Sequence, residues 1–341
     1  MSGCSSVGYY FDAINGHFDI LAEQEPIADI LQQEETPPEL RLKLELAIKA
    51  REFASSEMLL PDNDSYRNYA DIKRPYVVWN VIATEKYSIE ARKWCFFVVG
   101  CVSYRGYFDQ SDAKAYADTL IAQGYDVYIS GAQAYSTLGW FDDPLLNTMI
   151  KNNEARLVGI IFHELAHQQI YIDDDSAFNE AFATSVEIEG VKRWFEQKTT
   201  SSSSQERKKA FQNYLQSRKR EIEFKFLLKA TQVKLDELFK SEKFKSSNNQ
   251  DELKKQVFNQ LQQNYQDLKK TWQNYTGYDV WMNRDLNNAH LALIATYYDK
   301  VPVFQAVLKS MDNDIKKYYQ VVKVIGKLPE VERNIRLEEY Q

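Results

Sequence analysis

Apolar residues recur at helical spacing through PPELRLKLELAIKAREFA (37–54). Leu42, Leu46, Ala50 and Phe53 share one face, and Leu40, Leu44 and Ile48 form a second row. With prolines at its start, the stretch predicts a helix buried on more than one side. LPDNDS (60–65) then reads as a loop. Two β-branched, aromatic runs follow, YVVWNVIA (76–83) and CFFVVGCVSY (95–104), and both predict strands. SDAKAYADTLIAQG (111–124) returns to helical spacing, with Ser111 as N-cap and Gly124 just past the end. YDVYIS (125–130) is a short strand, and GAQAYSTLGWF (131–141) reads as an extended, Gly-bounded edge strand. DDPLLNTMI leads into EARLVGIIFHELAHQ, a helix whose Leu157, Ile161 and Leu165 point inward. The run DDDS (173–176) supplies turn and capping residues, so a second helix is expected to start near Ala177.

The pattern changes again after TTSSSSQ, which resembles a linker. Residues 205–275 are polar and Gly-free, with apolar positions such as Phe211, Leu215, Ile222, Phe226 and Ala230 at helical spacing. KSSNNQ (245–250) splits them, which predicts a long helical hairpin. Residues 279–310 are helical once more. The expected fold class is α+β, mostly helical: a small mixed sheet packed on the helix around 163 and on the helix after it, with the hairpin appended. Three regions are expected: a tether (1–8), a main domain (9–200 and 276–341) and the inserted hairpin (201–275).

Charge narrows the function classes. A net charge of −7 argues against nucleic acid as a partner, which calls for a basic surface. The hairpin departs from this balance, with sixteen Lys or Arg against nine Asp or Glu, or +7, leaving −14 elsewhere. It is read as a solvated helical arm, with contact to acidic lipid or to a partner as the alternative. No run of 18 apolar residues spans a membrane. Ser2-Gly3-Cys4 matches the small residues before a lipidated cysteine, although Met1 stands where that pattern prefers Leu; an exposed Cys in a tail is the other reading. Cys95 and Cys101 share a face if their run is one straight strand, which puts them too far apart to bond. A turn at Val99-Gly100 brings them together, and both outcomes stay open.

The hexapeptide HELAHQ (163–168) carries two of the four histidines in the chain. On a helix, residues four apart face the same way, so His163 and His167 can present two nitrogens to one ion. Glu164 lies about 100° round the helix from His163 and can reach a water beside that ion rather than the ion itself. A third protein ligand is required. Asp173 is one candidate, but a ligand there needs a sharp turn at 170, where Ile stands instead of Gly. Glu180, in SAFNEAFATSVE, is preferred, because it falls in the first turns of the second helix.

HELAHQ followed by FNEAFAT resembles the gluzincin pattern, in which HExxH is followed by a glutamate ligand on a later helix. With VVGCVSYRGYF, GYDVY, AYSTLGWFDDPLL and IFHELAHQ, most of the chain resembles the putative aminopeptidase family of bacterial lipoproteins. The resemblance implies a zincin-like fold and Zn2+ on His163, His167 and Glu180, with Glu164 as catalytic residue. It implies a periplasm-facing position in the bacterial cell envelope, lipid-anchored at Cys4, and favours a Cys95–Cys101 bridge. The GxMEN loop with which large zinc aminopeptidases grip a free amine is absent from the sequence.

The expected activity is therefore a zinc-dependent peptidase that cleaves peptide or protein substrates, with a zinc-activated water and Glu164 as general base. Candidate transition-state donors are His290, Tyr297 and Tyr298; packing is the alternative reading of each. Ser136, Thr137 and Gly139 are candidate substrate-binding positions on the edge strand. Thr184 and Glu187, one and two turns beyond Glu180, are candidates to orient the ligands. The competing class is a periplasmic scaffold or binding lipoprotein whose zinc is structural. An intact Glu164 speaks against it, since a structural site has no use for a base.

Overall fold

The computed structural model describes residues 20–96, 100–133, 142–197, 203–292 and 300–340. It is an α+β architecture, mostly helical with small sheets. In chain order the elements are β1 (Gln24–Pro26), α1 (Ile27–Ile30), α2 (Pro38–Ser56), β2 (Asn68–Ala70), β3 (Val78–Thr84), β4 (Trp94–Phe96), β5 (Gly100–Val102), β6 (Arg105–Tyr107) and α3 (Gln110–Ala122). There follow β7 (Asp126–Ala132), β8 (Leu145–Leu146), α4 (Asn147–Ile150), α5 (Glu154–Gln169), α6 (Ser176–Glu196), α7 (Ser204–Lys240), α8 (Glu242–Lys245) and α9 (Gln250–Thr271). The last are α10 (Asp279–Met282), α11 (Asn288–Ala292), α12 (Val301–Ser310), α13 (Ile315–Gly326) and α14 (Glu330–Glu338). Among the described residues, no helix is long and apolar enough to cross a membrane.

The chain forms two compact units. One comprises the described residues of Tyr76–Gln133 and Ser217–Ala295; the other comprises those of His17–Pro75, Ala134–Gln216 and Thr296–Gln341. Helix α7 supplies residues to both. Among the described residues, three separate sheets stand in place of one small mixed sheet.

In the first unit, β3 pairs antiparallel with β6 on one side and β7 on the other, Val81 lying opposite Ile129. Helix α3 covers this sheet, burying Ala113, Ala117 and Leu120 with Val81, Ala83 and Trp94. Its N-cap is Asp109, not Ser111: the Asp109 carboxylate accepts from the amides of Ser111 and Asp112. Gly124 follows the helix with φ +87°, the left-handed conformation glycine adopts freely. The run 95–104 is not one strand but an antiparallel pair, β4 with β5. Cys95 faces Cys101 across the pair, and the two are joined by a disulfide. The second part of α7 packs with α8–α11 around Phe224, Leu228, Leu235, Phe239, Phe258, Leu261 and Tyr265. The buried face of α7 is thus 224, 228, 235 and 239, while Phe226 is exposed.

In the second unit, α5 and α6 form the centre. Leu157, Val158, Ile161, Phe162, Leu165 and Ala166 of α5 are buried, as are Phe178, Ala181, Phe182, Val186 and Val191 of α6. The helices approach closely at Gly190, where a Cβ would lie 2.4 Å from the Phe162 ring. Phe53 of α2 packs on both Phe162 and Trp194. The buried positions of α2 are Leu44, Ala47, Ala50, Arg51, Phe53 and Ala54; Leu42 is exposed. Arg51 is fully buried and donates to the carbonyls of Pro61, Asn63 and Ser65, which fixes the loop after α2. Asn153 caps α5 and Asp175 caps α6. The sheet here is mixed, β1 antiparallel and β8 parallel to β2.

Candidate metal centre

Helix α5 carries His163, Glu164 and His167, and α6 carries Glu180, Thr184 and Glu187. Between the two helices the chain leaves α5 at Ile170 in an extended conformation, φ −145°, rather than in a left-handed turn. Asn179 closes the connection by bonding both backbone groups of Ile172. This leaves Asp173 exposed and sets α6 going at Ser176, which puts Glu180 in its second turn.

His163 Nε2 is 3.4 Å from Glu180 Oε2, and His167 Nε2 is 3.6 Å from Glu180 Oε1. Ligand atoms of all three residues lie within 4.8 Å of one another. Around a tetrahedral zinc with bonds of about 2.0–2.1 Å, neighbouring ligand atoms stand about 3.3 Å apart. The donor spacing and the two-nitrogen, one-carboxylate set therefore fit such an ion. Among the described residues, no other cluster of His, Cys, Asp and Glu meets the same criterion.

A carboxylate of α6 holds the His163 ring. Glu187, almost fully buried, sits with Oε2 3.2 Å from His163 Nδ1. Its other oxygen accepts from the Tyr214 hydroxyl at 3.0 Å and lies 3.6 Å from the Arg156 guanidinium. Thr184 is buried one turn beyond Glu180. His167 Nδ1 is buried without a hydrogen-bond partner.

Electrostatics separate the titrating groups. Burial opposes a charge on His163, but hydrogen bonds to Glu180 and Glu187 outweigh it and lift the imidazole to about 10. Burial, aided by the neighbouring His163 charge, pushes His167 down to about 4. Burial raises the Glu164 carboxyl to about 7, with His163 opposing and Glu180, Asp143 and Glu187 adding to the rise.

The other sequence candidates fall elsewhere. His290 belongs to the other compact unit, where its ring stacks on Tyr128 at 4.1 Å and meets Trp281 edge-on. Cys4, Ser136, Thr137, Gly139, Tyr297 and Tyr298 lie outside the described residues. Tyr214 and Arg156 escaped the sequence reading, because nothing in their local pattern ties them to Glu187.

Two imidazoles four apart on one helix and a carboxylate on the next form a group that could hold a metal ion, with the Glu164 acid beside the first histidine. The family model described as "Putative aminopeptidase" matches residues 8–337, and the chain belongs to that family. Membership implies a hydrolase with peptide substrates. No curated protein and no solved structure matches the chain.

Proposed function

We propose that the chain is a zinc-dependent peptidase in which His163, His167 and Glu180 hold the metal and Glu164 is the general base. The observation that carries this reading is the approach of both Glu180 oxygens to the two Nε2 atoms, at 3.4 and 3.6 Å, with Glu164 on the same helix. Zinc bound there would polarise the scissile carbonyl and acidify an attacking water. Glu164 takes the proton from that water and delivers it to the leaving amine. Glu187 holds His163 by its Nδ1 and so aims Nε2 inward. His167, kept neutral by burial, offers a lone pair rather than a proton.

We also propose a lipid anchor at Cys4 and a periplasm-facing position in the bacterial cell envelope. The Cys95–Cys101 bond supports this placement, since such bonds persist in oxidising compartments.

The test is metal analysis and digestion of a peptide library by wild-type protein beside Glu164→Gln. Bound zinc with cleavage by the wild type alone is expected. Bound zinc without cleavage by either protein would favour a structural scaffold.

A further inference from the structure

Tyr66 combines two costly features. Its backbone is left-handed, φ 64°, a conformation that bulky side chains avoid. Its side chain is 1% exposed, and its hydroxyl has no hydrogen-bond partner. Buried polar groups and strained backbones persist where surrounding structure imposes them, and they gather at functional sites.

The surrounding structure here is a set of clamps. Arg51 holds the carbonyls of Pro61, Asn63 and Ser65. The Tyr66 amide donates to the carbonyl of Asp143 at 2.7 Å. Gln168 of α5 joins the loop at two points, accepting from Asn63 Nδ2 at 2.7 Å and donating to Ser65 Oγ at 3.2 Å. Gln168 is four residues after Glu164, so the two share one face of α5. The loop that carries Tyr66 is thereby docked on the face that presents Glu164. Burial raises the Tyr66 hydroxyl well above its ordinary range, and Glu164 is the charge that adds most to this.

We propose that Tyr66 is a positioning residue for the general base: its hydroxyl donates to the Glu164 carboxylate when substrate is bound and holds the base in line with the attacking water. Hydrogen bonds of catalytic groups are often long in the free enzyme and tighten in the complex. The inference rests on the peptidase reading above. It differs in placing a residue 98 positions upstream of Glu164 in the working site.

The experiment compares wild type and Tyr66→Phe on one cleaved peptide, reading kcat, KM, zinc content and thermal midpoint. A fall in kcat of about tenfold is expected, the scale of a misaligned base, with KM and zinc content unchanged. The thermal midpoint should hold or rise, because the hydroxyl removed satisfies nothing in the fold. In a Glu164→Asp background the same substitution should cost little, since the two act as one unit. Unchanged kcat in Tyr66→Phe overturns the proposal, as does a lower midpoint or lost zinc, which would mark the hydroxyl as structural. If zinc-loaded wild type cleaves no peptide, the peptidase reading fails first and takes this inference with it; an active wild type beside a fully active Tyr66→Phe sinks this inference alone.

Discussion

Two partly buried histidines, one in each compact unit, have opposite electrostatic fates. His163 lies between Glu180 and Glu187, and its imidazole is lifted to about 10. His290 lies against Tyr128 and Trp281, with Arg284 nearby, and is pushed down to about 4. Burial acts in the same direction on both, towards the neutral ring. The neighbours decide the difference. Carboxylates on either side of a ring hold positive charge, whether a proton or a metal ion. Aromatic faces and a guanidinium leave a neutral ring packed on its neighbours. Histidine count therefore says less about a metal site than the acids that surround each ring.

The sharpest way to break the comparison is to remove the base and keep the carboxylate cage. Glu164→Gln should lower hydrolysis by about 10²–10⁴-fold while zinc, read by elemental analysis, stays bound. Equal activity would remove the peptidase reading. Opening the cage comes next. Glu180→Ala should lose zinc, whereas Asp173→Ala should keep it, because Asp173 is exposed and stands outside the donor cluster. The reverse pattern would overturn the ligand assignment. Weakening one wall of the cage should do less: Glu187→Gln is expected to reduce zinc affinity by about 10–100-fold, measured by competition with a chelator.

The smallest effect belongs to the aromatic histidine. His290 titrates near 4 when folded and near the ordinary 6.5 when unfolded, so the unfolded chain binds its proton first as pH falls. Its contribution to stability is complete above 6.5 and is lost between 6.5 and about 4. His290→Gln should flatten the acid side of the stability curve in that window without altering zinc content. An unchanged slope would show that other groups set it.

Much of the α5–α6 pair was legible because its signals are local. HELAHQ puts two histidines four apart on one helix, and DDDS marks where the next begins, one residue before the expected Ala177. Errors arose where two local readings competed. Asp109 and Ser111 both suit an N-cap, and the carboxylate reaches two amides where the hydroxyl was expected to serve. In α7, Phe226 fits helical spacing as well as Phe224 does, and only packing against residues far along the chain chooses between them. Strands β1, β2 and β8 have two or three residues each, too few to display alternation. The run 95–104 lacks the Asn-Gly or Asp-Gly that signals a tight hairpin, so its pattern left the straight strand and the turn at Val99-Gly100 equally open. Tyr66 was out of reach altogether, since its placement depends on which loop the fold lays across α5.

The packing around α6 also has a consequence for how the chain is made. Phe304 packs against Phe178 and Phe182, the Tyr318 hydroxyl meets Ser185, and Arg333 pairs with Asp175 at the start of α6. These partners lie more than 100 residues after the end of α6. At about 5–20 residues per second, a ribosome finishes α6 on the order of ten seconds before it delivers them. During that interval nascent α6 has one apolar side uncovered, and a chaperone or a pause in translation has its greatest purchase there. Stop codons that remove α12–α14 should accordingly yield aggregates rather than a shortened folded chain.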